Sequence, residues 1–237
     1  MLKLKTFVSF ILSPILFYSC SNVSSRLSIT TNDSIVNDYD GNWYRIINIG
    51  KQKWLNKNLA VTHFRNGDPI KYYDKSEDWK ACSSPAFCFY EEDTNNTVFY
   101  GNLYNWYVVS DKRGVCPEGW RVPSDTDWTE LSMMFGGANN AGSELKDSAF
   151  GTWIQNNKNT NLSRFSALPS GHRNEEGEYE RLHRYCYFWS IESYSGNACV
   201  IPNGCAHECS LQDETSYFLQ DWGIKTRGMS IRCIKND

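Results

Sequence analysis

Histidine is scarce in this sequence, and a surplus of positive charge is missing. The four histidines stand apart at 63, 172, 183 and 207. There is no His-Glu-x-x-His pair, no Ser/His/Asp elbow and no glycine-rich phosphate loop after a strand. The local signatures of zinc hydrolases, serine hydrolases and phosphate-loop enzymes are therefore absent. Glycosidase carboxylate pairs leave no such signature, so that class stays open. Lysine and arginine number 24 against 27 aspartates and glutamates, a net charge of −3 with a pI near 5.8. A chain with no basic face offers little to a phosphate backbone, which argues against nucleic acid as a partner. No internal repeat is present. The apolar run from Phe7 to Tyr18 is too short to cross a bilayer as a stable helix.

That run has the character of an export signal, because Lys3 and Lys5 precede it and the polar Ser21-Asn22 follows Ser19-Cys20. Phe17-Tyr18-Ser19-Cys20 resembles a bacterial lipobox, with Phe where leucine is usual. The resemblance implies a signal peptide over 1–19 and a lipidated Cys20 at the mature N-terminus, anchored at the outer membrane. Nine cysteines then leave eight, the even number expected of a disulfide framework in an exported chain. Residues 20–37, rich in Ser, Thr and Asn, read as a flexible tether. No acidic run follows Cys20, so a periplasm-facing and a cell-surface location both stay open. Residues 38–237 suit a single domain.

One stretch is legible residue by residue: Cys116-Pro117-Glu118-Gly119-Trp120-Arg121-Val122-Pro123-Ser124-Asp125-Thr126-Asp127-Trp128. Gly119 permits a sharp turn. Trp120 to Val122 is extended, since the residue before proline avoids the helical region, and Pro123 ends any ladder. Ser124 is placed as a helix N-cap. Asp127, three residues on, completes a capping box with Asp in place of Glu or Gln. Trp128, Leu131 and Phe135 recur at i, i+3 and i+7, predicting one buried face on a helix that Gly136-Gly137 ends.

Short strands and turns fill the rest. Asp40-Gly41 is a hairpin-type turn, Trp43 to Ile49 a strand, and Gln52 to Leu55 pairs back on it. Ser76 is placed to cap a short helix. Cys82 and Cys88 lie in an extended region, residues 138–164 read as loop, and Phe165 to Leu168 and Met229 to Ile234 read as strands. Nine Trp and fourteen Tyr bring aromatics to 15%. Most such rings fill a core poor in regular structure; some are candidates for a surface on which sugars or peptides stack.

Five blocks in order resemble the major paralogous domain first described from Fibrobacter succinogenes and common in Bacteroidetes lipoproteins. They are Trp54-Leu55-Asn56-Lys57-Asn58-Leu59, Tyr100-Gly101-Asn102-Leu103-Tyr104-Asn105-Trp106-Tyr107, the stretch Cys116 to Trp128, Phe165-Ser166-Ala167-Leu168-Pro169-Ser170-Gly171-His172-Arg173-Asn174, and Gly228-Met229-Ser230-Ile231-Arg232-Cys233. Arg121 to Trp128 is also distantly similar to the R-L-P-T-E-A-E-W of sulfatase-modifying, formylglycine-generating proteins, whose fold is C-type-lectin-like. The resemblance implies an α+β fold: one C-type-lectin-like domain with two short helices, small antiparallel sheets, long loops and disulfide staples. It places one helix on Tyr100, Tyr104 and Tyr107. It also implies a Cys116–Cys233 bridge across 117 residues, with Cys116–Cys88 as the alternative.

Cys199, Cys205, Cys209 and His207 are zinc-ligand types, but C-x-H-x-C is tighter than the usual knuckles. Disulfides are the expectation there, with Cys186 as the fourth partner and three pairings open; Cys82 and Cys88 complete the set. The formylglycine-generating oxygenases bind copper through two cysteines separated by four residues, a spacing missing here. Ile201-Pro202-Asn203 keeps two residues of the lectin E-P-N calcium triplet. Glu91-Glu92-Asp93-Thr94-Asn95-Asn96 offers oxygens for calcium or is a solvated acidic loop. His172 stands where the family has Tyr, which argues against a required base. The expectation is an exported, lipid-anchored domain that binds a glycan or a protein, with no catalytic residue, no metal and no cofactor except calcium as a candidate. Two alternatives are an altered relative of the formylglycine-generating enzymes or another enzyme, and a structural component of a surface assembly. Facing carboxylates or thiols in a cleft would mark an enzyme; an aromatic platform without convergent titratable groups would mark a binder.

Overall fold

The computed structural model describes residues 29–149, 151–154 and 159–236. The signal-type segment and Cys20 lie outside them. The described residues begin with β1 (Ile29–Asn37), β2 (Trp43–Ile49) and β3 (Gln52–Leu55). Then come β4 (Lys71–Tyr72), α1 (Ser76–Lys80), β5 (Ala86–Cys88), α2 (Thr94–Tyr100), β6 (Leu103–Tyr104) and α3 (Trp106–Val109). The central region holds β7 (Trp120–Arg121), α4 (Asp125–Met133) and α5 (Ala141–Leu145). The last part is β8 (Ser170–Arg173), β9 (Tyr179–Leu182), β10 (Tyr185–Tyr194), β11 (Cys205–Gln212), β12 (Phe218–Ile224) and β13 (Ile234–Lys235). One sheet runs β1-β2-β3-β13-β7, a second β12-β11-β10-β8-β9, and a third β4-β5-β6. The chain end is thus threaded between β3 and β7. The Cys116–Cys233 disulfide, Cα atoms 6.0 Å apart, staples it there.

The α+β class holds, with several corrections. Among the described residues there are five α-helices where two were expected. Two of the three sheets are mixed, because β4 pairs with β5 and β8 with β10 in parallel. Residues 29–37, expected in the tether, form β1, paired from Ile29↔Ile49 to Asn37↔Trp43; its Ile, Val and Thr suit a strand once a partner edge exists. The helix expected across Tyr100 to Tyr107 is broken at Gly101, whose φ is +74° and whose added Cβ would lie 2.6 Å from Leu59 O. Lys75, not Ser76, occupies the cap position of α1; Ser76 Oγ donates to Gly177 O at 3.0 Å. Phe165 to Leu168 makes a single bridge, Lys146↔Ala167, in place of a strand. The region read as loop after the main helix contains α5.

The main helix starts as its sequence predicts and buries Trp128 and Leu131, but it ends at Met133, so Phe135 lies beyond it and is half-buried. Ser124 Oγ accepts from Asp127 N at 3.1 Å, and Asp127 Oδ2 accepts from Ser124 N at 2.6 Å. Burial alone would raise the Asp127 pKa; hydrogen bonds from Arg121 and Ser124 outweigh it and hold the carboxyl low. Trp120 and Trp128 are buried, and the carbonyl of Pro123 accepts from Ile191 N in β10 at 2.9 Å. Trp128 meets Trp54 of the first sheet at 4.8 Å between ring centroids, and Phe188 and Phe218 of the second at 5.6 and 6.0 Å. The helix is a wedge whose indole joins both five-stranded sheets.

Long loops leave backbone carbonyls in need of donors, and buried cations supply them. Arg173 donates to Gly177 O, Tyr73 O and Asp74 O while lying 4.8 Å from both the Trp79 and Tyr179 rings. Lys146 donates to the carbonyls of Gln212, Asp213 and Thr215. Arg232 does the same in the site below.

Four of the eight cysteines expected in disulfides stay reduced and buried: Cys82, Cys88, Cys186 and Cys209. Cys199 pairs with Cys205. In the β10–β11 register Cys186 faces Leu211 and Cys209 faces Phe188. The two thiols are therefore diagonal neighbours, about 7–8 Å apart at Cα, beyond ordinary disulfide reach. Cys82 Sγ donates to Ser84 O at 3.1 Å, whereas Cys88 sits beside Arg173 and Tyr179. Burial pushes the Cys88 thiol up to about 11 and the Cys186 thiol up to about 12, which leaves both unreactive.

Candidate functional site

Seven of the nine tryptophans are buried, so most rings serve the core. Trp43, at the start of β2, is 47% exposed. Lys57 Nζ lies 3.9 Å from its ring centroid. The helix α2, none of whose residues is buried, presents Val98 and Phe99 at 74% and 68% exposure. Two adjoining clefts, of about 210 and 260 Å³, share Lys57, Asn58, Val98 and Phe99 as lining. The first adds Trp43 and Asn42; the second adds Asn56, Ser166 and Arg232. Among the described residues no aspartate or glutamate lines either one.

The inner wall is tightly bonded. Asn58 Nδ2 donates to Tyr100 O at 2.9 Å and Ser230 Oγ at 3.1 Å. Its Oδ1 accepts from Arg232 Nε and Nη2 at 3.1 and 2.7 Å. Arg232 Nη1 donates to Leu55 O at 3.2 Å and Phe165 O at 2.6 Å, and its guanidinium lies 4.2 Å from the Phe165 ring. Burial pulls the Arg232 pKa down to about 9, so it is still a cation at neutral pH. Ser166 holds a φ of 51°, uncommon for a residue with a side chain. Asn161 fixes it through its Oδ1 and Nδ2, at 3.0 and 2.8 Å.

Four of the five sequence blocks meet at these clefts, through Asn56 to Asn58, Gly101, Ser166 with Leu168, and Arg232. The Fibrobacter succinogenes major domain matches residues 47–235, which contain them all. The chain belongs to the Fibrobacter succinogenes major domain family. No curated protein and no solved structure matches it.

A different cleft of the major domain, also about 210 Å³, carries the titratable groups His172, Glu175, Glu180, Tyr187 and Arg227. Glu175 and Glu180 are each engaged in a hydrogen bond. Arg227 Nε donates to Glu175 Oε2 at 2.8 Å, and Asn174 Nδ2 to Glu180 Oε1 at 2.7 Å. The Arg227 hydrogen bond holds Glu175 below the usual carboxylate range, the reverse of what a general acid needs. Burial and then Arg227 lower His172 to about 4, so the imidazole is neutral. Behind them Glu208, 6% exposed, has an Oε2 without a hydrogen-bond partner.

Burial first, and Asp221 second, raise Glu208 to about 8 from 4.5. The folded protein then keeps a proton that the unfolded chain releases, so stability falls as pH rises through that window. Glu208→Gln is expected to match the parent near pH 5. At pH 9 it should exceed it by at least about 1 kcal/mol, roughly 2–4 °C in Tm. Thermal melts at the two pH values check this.

The remaining candidates of the major domain fall into place. Trp120, Pro123, Ser124, Asp127 and Trp128 frame α4; the Ser124 and Asp127 side chains are spent on the cap and on the ion pair with Arg121. Asp93 caps α2 by accepting from Asn95 N at 2.8 Å. Among the described residues no group of three or more His, Cys, Asp or Glu converges as a metal site. The Cys199–Cys205 bond takes two members of the zinc-like set, and His207 Nδ1 lies 3.8 Å from Asp125 Oδ1. Trp43, Phe99 and Arg232 had no individual sequence signal beyond the blocks that hold Lys57 and Arg232.

Proposed function

We propose that the chain is an exported, lipid-anchored, non-catalytic binding protein that takes a glycan in the clefts between Trp43 and Phe99. The observation that carries this is a half-exposed indole, with Lys57 over its ring, that shares a cleft with the apolar Val98 and Phe99 and with the amides of Asn42 and Asn58. Sugar rings stack their C–H faces on aromatic surfaces, and amide groups meet their hydroxyls. The absence of lining carboxylates supports binding over hydrolysis. The C-type-lectin-like reading of the fold belongs here too. The return of β13 between β3 and β7, stapled by Cys116–Cys233, supports it. A glycan array with the purified protein is the test. Trp43→Ala is expected to lose about tenfold in affinity with little change in Tm, since its ring is half exposed. A parent that binds no glycan, or an alanine variant that binds as well, overturns the site.

The anchor rests on Lys3, Lys5, the run Phe7 to Tyr18 and Ser19-Cys20. Among the described residues no helix is long and apolar enough to cross a membrane. Mass spectrometry of the mature protein is expected to find a diacylglyceryl adduct on Cys20, and Cys20→Ala is expected to leave the detergent phase. Retention of that variant in detergent would refute lipidation.

A further inference from the structure

Arg232 is a buried cation that lines an open cleft without an anion. Its side chain is 1% exposed, and its hydrogen bonds all end on neutral oxygens: Asn58 Oδ1 twice, Leu55 O and Phe165 O. Four of its five N–H donors are in use. Arg173 clamps carbonyls in a similar way, but is sealed between Trp79 and Tyr179. Arg232 opens on the second cleft. Burying a charge that no opposite charge offsets is costly, and Lys57 adds a second cation to the wall common to both clefts. The nearby acid Asp38 is turned away: its oxygens accept from Tyr44 Oη at 2.7 Å and from Asn42 Nδ2 at 2.9 Å. A protein of net charge −3 therefore presents a cleft pair that, among the described residues, is lined by cations and no anions.

We infer that the second cleft is an anion subsite, where Arg232 and Lys57 receive the carboxylate of an acidic sugar unit while the neighbouring unit stacks on Trp43. This rests on the glycan reading above and narrows it to uronate-containing saccharides. The attraction needs no direct bond to every donor, because in a low-dielectric wall a guanidinium acts over several ångströms. Asn56 and Ser166 at the same cleft supply partners for the ring hydroxyls. Phe99 and Leu168 add apolar surface beside the two cations.

The test uses the purified full-length protein and calorimetric titration with three probes: a galacturonic acid tetramer, the same tetramer with its carboxyls reduced to alcohols, and a sulfated neutral tetramer. The acidic tetramer is expected to bind at least about tenfold tighter than the reduced one, and the gap should shrink as salt is raised. Lys57→Gln should lose most of that gap, leaving the acidic and reduced tetramers within a few-fold of one another. Substituting Arg232 risks unfolding, so it is followed by NMR: its Nε–H resonance should move with the acidic tetramer and stay still with the reduced one. Equal affinity for acidic and reduced tetramers removes the anion subsite and leaves the glycan reading intact. Binding of none of the three removes both. Tighter binding of the sulfated probe, or an unmoved Arg232 resonance, overturns the carboxylate assignment.

Discussion

Removing the Cys116–Cys233 disulfide is expected to destabilise the protein by roughly 4–5 kcal/mol on the chain-entropy account. The bond closes a loop of 117 residues. That loop includes α4, α5, β8 to β12 and long irregular connections. Ordering such a chain costs entropy at every residue, and the cross-link reduces the freedom of the unfolded state. The bridge also sits at a structural seam. Cys233 O accepts from Leu55 N at 3.0 Å, and β13 pairs with both β3 and β7. Without it the last strand must hold its place by a few ladder bonds. The Cys199–Cys205 bond spans only 6 residues, so its loss is expected to cost about 2 kcal/mol on the same account. Urea melts of Cys116→Ser/Cys233→Ser and Cys199→Ser/Cys205→Ser variants give the comparison. Equal losses for the two would contradict the loop-length argument.

Trp128→Ala is expected to cost about 3–5 kcal/mol. The indole is fully buried and touches Trp54, Phe165, Phe188 and Phe218. Truncation opens a cavity where both five-stranded sheets meet the helix, and close-packed rings cannot collapse into it without moving a sheet. Ser124→Ala, at the start of the same helix, is expected to cost about 1 kcal/mol, because it removes one cap while the Arg121–Asp127 ion pair remains. Denaturant titration of the two variants measures both. A Trp128→Ala loss no larger than that of Ser124→Ala would show that the helix is held by its cap and not by its wedge.

The features legible in the sequence are those whose causes lie within a few residues. Ser124 and Asp127 specify the cap, and Trp128 and Leu131 the buried face, by contacts three residues apart. Trp43 to Ile49 and Gln52 to Leu55 form the strands expected of them, since a turn and its flanking residues make a hairpin locally. The blocks shared with the major domain family carried the Cys116–Cys233 pairing, which spacing alone left open.

The tertiary structure decided whatever depends on distant partners. β1 became a strand because the edge of β2 was there to receive it. Cys186 and Cys209 stayed reduced because the β10–β11 register sets them on a diagonal. Helix stops at Gly101, whose φ of +74° turns the chain so that Asn102 N donates to the carbonyl of Leu59, far back in the chain, at 2.9 Å. The clefts between Trp43 and Phe99 draw on residues from 42 to 232. No local pattern announces them, because an exposed ring becomes a platform, and a buried arginine a charge beside a cleft, only when folding brings their neighbours into place.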